Sequence, residues 1–163
     1  IESAPGAGTT VRLVFAVPTA ITAEPGQSAG IREAPSRLRL LLIDDDPMLL
    51  KSLRDALETD GHVIVTANSG EAGIAAFRMA LDRGERFAAV ITDLGMPYID
   101  GRRVAAAVKE TSPATPVILL TGWGQRLVAE DDVPPHVDCV LAKPPKLREL
   151  REALAQLCRP AAS

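Results

Sequence analysis

Four short apolar runs in this chain each end on a residue able to handle phosphorus or a hard metal ion. Leu38 to Ile43 runs into Asp44-Asp45-Asp46, Phe87 to Thr92 into Asp93, Val117 to Leu120 into Thr121, and Val137 to Ala142 into Lys143. Carboxylate oxygens are what Mg²⁺ takes, usually one or two of them, with water or phosphate in the remaining positions. Without metal, such acids repel one another and disfavour their own ionised forms. With metal, the cleft attracts a phosphoryl group. Asp93 can then attack phosphorus as a nucleophile, while the metal, Lys143 and the Thr121 hydroxyl hold the three phosphoryl oxygens. Each residue alone has a plainer reading. Asp46 before Pro47 is best read as a helix N-cap, Thr is common at strand ends, and Lys143 before Pro144 fits a surface lysine. Their joint occurrence at four strand ends is what favours a site.

Those ends converge only if the strands are parallel, which sends attention to the elements between them. Asp46-Pro47 opens a helix through about Glu58, with Met48, Leu49, Leu53 and Leu57 near helical spacing. Asp60-Gly61 turns the chain into Val63-Ile64-Val65. Asn68 or Ser69 can cap a second helix carrying Ala72, Ala75, Ala76, Met79 and Ala80. A third helix spans Gly101 to about Glu110, and one short helix fits around Gln125 to Glu130. Leu147, Leu150, Leu154 and Leu157 stripe the last helix. Five strands alternating with five helices predict a doubly wound α/β domain with a five-stranded parallel sheet, its ligands at the carboxyl ends of the strands.

Composition excludes several classes of function. The 163 residues are 47% apolar and 24% charged, which suits a globular domain with a sizeable core. Net charge is −3 with scattered basic residues, arguing against nucleic acid or an anionic membrane as partner. No apolar run approaches the roughly 20 residues that span a bilayer. Cys139 and Cys158 are too few for a disulfide framework or a zinc site, so a reducing cytoplasm is expected. His62 and His136 are read as structural, Cys139 as core and Cys158 as a helix-end residue. Trp123 reads as a partly exposed partner-contact residue.

Taken together, Leu41-Leu42-Ile43-Asp44-Asp45-Asp46-Pro47, Val90-Ile91-Thr92-Asp93-Leu94-Gly95-Met96-Pro97 with Asp100-Gly101, Leu119-Leu120-Thr121-Gly122 and Ala142-Lys143-Pro144 resemble a response-regulator receiver domain of two-component signalling. The resemblance covers 38–158. It implies a flavodoxin-like sheet of order 2-1-3-4-5, Asp93 as phosphoacceptor, and Mg²⁺ held by Asp44, Asp45, Asp93 and the Gly95 backbone carbonyl. It further implies Thr121 as switch hydroxyl, Lys143 as phosphate contact and a cis Lys143–Pro144 bond. The phosphodonor would be a phosphohistidine on a histidine kinase or a histidine phosphotransfer protein, and the domain itself would not be an enzyme. The chain departs from the family at Val140, where an aromatic switch residue is usual, at Pro145, and at Gly122 beside Thr121.

Ahead of this domain, residues 18–37 read as a Pro- and Gly-rich linker and 159–163 as a tail. Val11, Leu13, Phe15 and Val17 alternate with Arg12, Val14 and Ala16, predicting a strand preceded by a turn at Gly6-Ala7-Gly8. Residues 1–17 resemble the last hairpin of a histidine-kinase ATP-binding domain. The start lacks an initiator Met and a signal peptide and reads as a fragment of a longer protein. Because this hairpin stands just before a linker and a receiver, the resemblance implies a hybrid sensor histidine kinase as the parent. Two rival functions remain. One is a docking module that works without phosphorylation, which Val140 keeps open. The other is a haloacid-dehalogenase-like phosphatase, suggested by Asp44-x-Asp46 but lacking that family's later acidic pair.

Overall fold

The computed structural model describes residues 2–4, 8–10, 37–122 and 134–158. The strand expected over 11–17, most of the linker, Trp123, the helix at 125–130 and the tail lie outside the described residues. The chain divides into two units, Ile1–Arg32 and Glu33–Ser163. In the first, β1 (Glu2–Ala4) pairs antiparallel with β2 (Gly8–Thr10), Glu2 facing Thr10 and Ala4 facing Gly8. Gly8, expected in the turn, is therefore a strand residue.

The second unit is built on β3 (Arg39–Ile43), β4 (Val63–Ala67), β5 (Ala89–Asp93), β6 (Val117–Thr121) and β7 (Cys139–Ala142). All neighbours run parallel in the order β4-β3-β5-β6-β7, which is the expected 2-1-3-4-5. Among the described residues four helices accompany the sheet: α1 (Pro47–Thr59), α2 (Gly70–Asp82), α3 (Gly101–Thr111) and α4 (Leu147–Leu157). No helix among them is long and apolar enough to cross a membrane.

The period of two divides the central strands between two cores. Leu40, Leu42, Ile91, Ile118 and Leu120 face Leu50, Leu53 and Leu57 of α1 and Leu150 and Leu154 of α4. Leu41, Ile43, Val90 and Val117 face Phe77 of α2 and Val104, Ala105 and Val108 of α3. This is why the strands read as unbroken apolar runs: both faces are covered. Each fully buried Leu contributes about 1.5–3 kcal/mol.

Each of the first three helices starts where a side-chain oxygen meets its free amides. Asp46 Oδ1 accepts from the Met48 and Leu49 amides at 2.8 and 3.3 Å, with Pro47 at the first position. Ser69 Oγ accepts from Ala72 N at 3.2 Å and Asp100 Oδ1 from Arg103 N at 2.9 Å. Strand β7 starts two residues later than the apolar run. His136 takes a positive φ of 71°, and Asp138 Oδ2 occupies the Val117 amide at 2.7 Å before the ladder begins. Two helical faces also differ from expectation. Met48 and Met79 are exposed, and the buried stripe of α2 is Gly73, Phe77 and Ala80. Alanine marks a helix face weakly, whereas Phe77, stacked on Phe87 at 6.0 Å between ring centres, anchors it.

Candidate functional site

The carboxyl ends of β3, β5, β6 and β7 meet at one edge, and the residues singled out from the sequence sit there. Asp44 follows β3 and is almost wholly buried, while Asp45 beside it is exposed. Asp93 is the last residue of β5 and Thr121 the last of β6; both are buried. Lys143 follows β7, its amide bonded to the Thr121 carbonyl at 2.9 Å. The Lys143–Pro144 bond is cis, as the resemblance implies. From this position the Lys143 ammonium reaches Asp44 Oδ2 at 2.6 Å and Asp93 Oδ2 at 2.9 Å. One cation thus bridges two buried acids carried by adjacent strands.

The electrostatics follow from that crowding. Burial pushes the Asp44 carboxyl above its ordinary value, and the charge of Asp93 adds to the push; Lys143 and the Asp46 amide, which donates to Asp44 Oδ1 at 2.9 Å, oppose it. Burial alone would lower the Lys143 ammonium, but its contacts with Asp44 and Asp93 outweigh that and hold it above its ordinary value. At 2.6 Å the Lys143 ammonium makes a charge-assisted contact with the buried Asp44 carboxylate.

Asp44, Asp45 and Asp93 each offer a carboxylate oxygen, all within 4.8 Å of one another. Three hard oxygen donors, offset by one ammonium, suit a divalent cation such as Mg²⁺. Gly95 lies beside them: a Cβ built there would stand 3.8 Å from Asp93 Oδ2. Of the departures noted in the sequence, Val140 is half-buried in β7 opposite Leu119, Pro145 is buried, and Gly122 is exposed. His62 is buried and structural, its Nδ1 accepting from the Leu38 amide at 3.3 Å. Cys139 and Cys158 are half-buried against the core.

Sequence reasoning missed the supports of the loop after Asp93. Ile99 N donates to the Pro97 carbonyl at 2.8 Å across Tyr98, whose φ is 66°. This is a γ-turn with its central residue in the left-handed region, a strained form. Gly70, on α2, touches the same Ile99. A glycine after a capping serine gives no hint of this in the sequence, because its partner is 29 positions away (99 − 70).

A five-stranded parallel sheet with three acids, a threonine and a lysine at its carboxyl edge places the chain among the doubly wound α/β domains. Comparison with known proteins makes the class specific. The family model for the response regulator receiver domain matches residues 40–155, and the chain belongs to that family. It is a receiver domain of the kind found in response regulators of two-component systems. It is 44% identical over 85 residues to the transcriptional regulatory protein GlrR of Escherichia coli K12, covering 52% of this chain and 18% of GlrR. It is 36% identical over 122 residues to the virulence sensor protein BvgS of Bordetella bronchiseptica, covering 70% of this chain and 9% of BvgS. The chain therefore spans a small part of either relative. Among solved structures it resembles the response regulator protein TrrA of Thermotoga maritima in complex with Mg²⁺-BeF. That likeness has a TM-score of 0.60 and 27% identity, covering 74% of this chain and 98% of that one.

Proposed function

We propose that Asp93 accepts a phosphoryl group from a phosphohistidine and that the domain acts as a switch whose output is a change of partner. A carboxylate oxygen of Asp93 attacks phosphorus, the P–N bond breaks, and the imidazole leaves with the bond's electron pair and takes up a proton. The product is an aspartyl phosphate. The observation that carries this reading is the Lys143 ammonium between the buried carboxylates of Asp44 and Asp93. Lys143 stands where it can leave Asp44 for a phosphoryl oxygen, and Thr121, at the neighbouring strand end, can donate its hydroxyl to another. Asp44, Asp45, Asp93 and the Gly95 carbonyl would hold Mg²⁺, which when bound neutralises charge developing on the transferring group. The similarity to TrrA, solved with Mg²⁺-BeF, supports that cofactor.

The donor in this reading is a histidine kinase or a histidine phosphotransfer protein. The chain is the receiver of a hybrid sensor kinase, with 38–158 the receiver, 18–37 a linker and 1–17 a remnant of the kinase's ATP-binding domain. The similarity to BvgS and the β1–β2 pair support this. The site faces the cytoplasm in such a protein. The test is intact mass after incubation with Mg²⁺ and a small acyl phosphate, beside Asp93→Asn. The expected result is one phosphoryl adduct on the wild type, absent in the variant and without metal. An unmodified wild type would leave the docking-module reading instead.

A further inference from the structure

We infer that Gly70, the first residue of α2, is a positioning residue for Asp93, acting through Ile99 and Gly101. The inference rests on the phosphoacceptor reading of Asp93, and it concerns what holds that residue still. A Cβ built at Gly70 would lie 2.4 Å from the Ile99 carbonyl oxygen, 2.8 Å from its Cγ2 and 2.9 Å from its Cβ. The nearest of these is backbone, so no side-chain rotation relieves the contact. Two residues on, a Cβ at Gly101 would lie 2.3 Å from the Asp93 carbonyl oxygen and 2.6 Å from Leu119 Cδ1.

Between these two contacts the chain has little slack. Ile99 is tied back to Pro97 across the γ-turn at Tyr98, and the Gly101 amide bonds the Leu94 carbonyl at 3.3 Å. Asp100 is occupied in capping α3. A left-handed φ is costly for a bulky residue, and such strain persists only where the surroundings over-determine the backbone. Tyr98 is 94% exposed and contributes no packing that would offset its strain. Gly70 on one side and Asp93 on the other supply the constraint. Displacing Ile99 from α2 therefore moves Gly101, which abuts the Asp93 backbone, together with the loop carrying Gly95.

The test compares Gly70→Ala with Leu154→Ala, a truncation in the core on the opposite face of the sheet, both in the full chain. The readouts are Mg²⁺ affinity by calorimetry, hydrogen exchange over residues 94–101, and adduct formation from a small acyl phosphate. Gly70→Ala is expected to weaken Mg²⁺ binding about tenfold, the size of effect seen when supports of metal ligands are lost, and to speed exchange across the loop. Leu154→Ala, at an equal or larger loss of melting temperature, is expected to change neither. If Gly70→Ala does not fold, Ile99→Ala removes the Cγ2 that abuts Gly70 and should move both readouts in the same direction. Wild-type Mg²⁺ affinity in the folded variant, or a loss no greater than that of Leu154→Ala, would overturn the inference, as would a wild type that binds no Mg²⁺. A wild type that binds Mg²⁺ but forms no adduct would overturn the phosphoacceptor reading alone; the Gly70 effect on Mg²⁺ binding would still support the positioning role.

Discussion

The two edges of the sheet solve the problem of polar groups in opposite ways. At the amino edge the charged side chains are set against opposite charges or backbone amides. Arg39 pairs with Glu85 and lies over the Phe87 ring at 5.2 Å, His62 takes the Leu38 amide, and Asp138 takes both the Val117 amide and Lys109. Arg151 grips Asp60 through two bonds of 2.7 and 3.0 Å. At the carboxyl edge two buried acids share one ammonium and a third acid stands close by. One edge matches opposite charges; the other crowds three acids around one ammonium, a local conflict of charge. Local conflict of this kind marks function.

Removing the shared cation should break the contrast most severely. Lys143→Ala leaves Asp44 and Asp93 facing each other with no counter-charge. The expected loss is about 2–3 kcal/mol, below the figure for a fully buried pair because the ammonium is 22% exposed. A Mg²⁺ site built from two strand ends exists only in the folded state, so the ion should raise the melting temperature of the wild type and raise that of Lys143→Ala further. Calorimetric melts with and without millimolar Mg²⁺ check this. Equal shifts in the two proteins would show that Lys143 does not compete with the metal for the acids.

A smaller effect is expected from His62 at the opposite edge. Burial lowers its imidazole below the ordinary 6.5, against the raising charge of Asp60. A group lowered on folding contributes stability that is present above 6.5 and lost as pH falls through its folded value. Protonation would also take the Nδ1 lone pair from the Leu38 amide. Melting temperature should therefore decline as pH drops below neutrality. In His62→Asn, whose side-chain oxygen can still accept but does not titrate, that part of the decline should vanish. An identical pH profile would exclude His62 as its source.

Smallest of all should be Arg151→Ala. Its partner geometry is good, but the pair is solvated and screened. A melt in low and in high salt should show at most a slight difference between variant and wild type, confined to low salt. A large, salt-independent loss would mean that the amino edge also depends on a buried charge.

Much of the site was legible because its residues sit at the ends of strands that advertise themselves. Leu40 to Ile43, Val90 to Thr92 and Val117 to Leu120 are apolar on both faces, so the residue at which each run stops is easily found. The faces of α1 and α2 were less legible. Met48 and Met79 are apolar but stand off the buried faces formed by Leu50, Leu53 and Leu57 and by Gly73, Phe77 and Ala80, and Gly73, with no side chain to signal it, is buried against Ile43. The start of β7 was hidden for another reason: Asp138, a polar residue in an apolar run, occupies the Val117 amide ahead of the ladder.

By itself the sequence determined the alternation of strands and helices, the parallel sheet, and the set of acids, hydroxyl and ammonium at its carboxyl edge. These follow from apolar period, capping residues and chain order, all local. Only the tertiary structure decided that Lys143 bridges Asp44 and Asp93, that Asp44 is buried while Asp45 is exposed, and that Gly70 abuts Ile99. Those are distances between residues far apart in the chain. Side-chain reach and backbone clearance set them, and both exist only once the layers have packed.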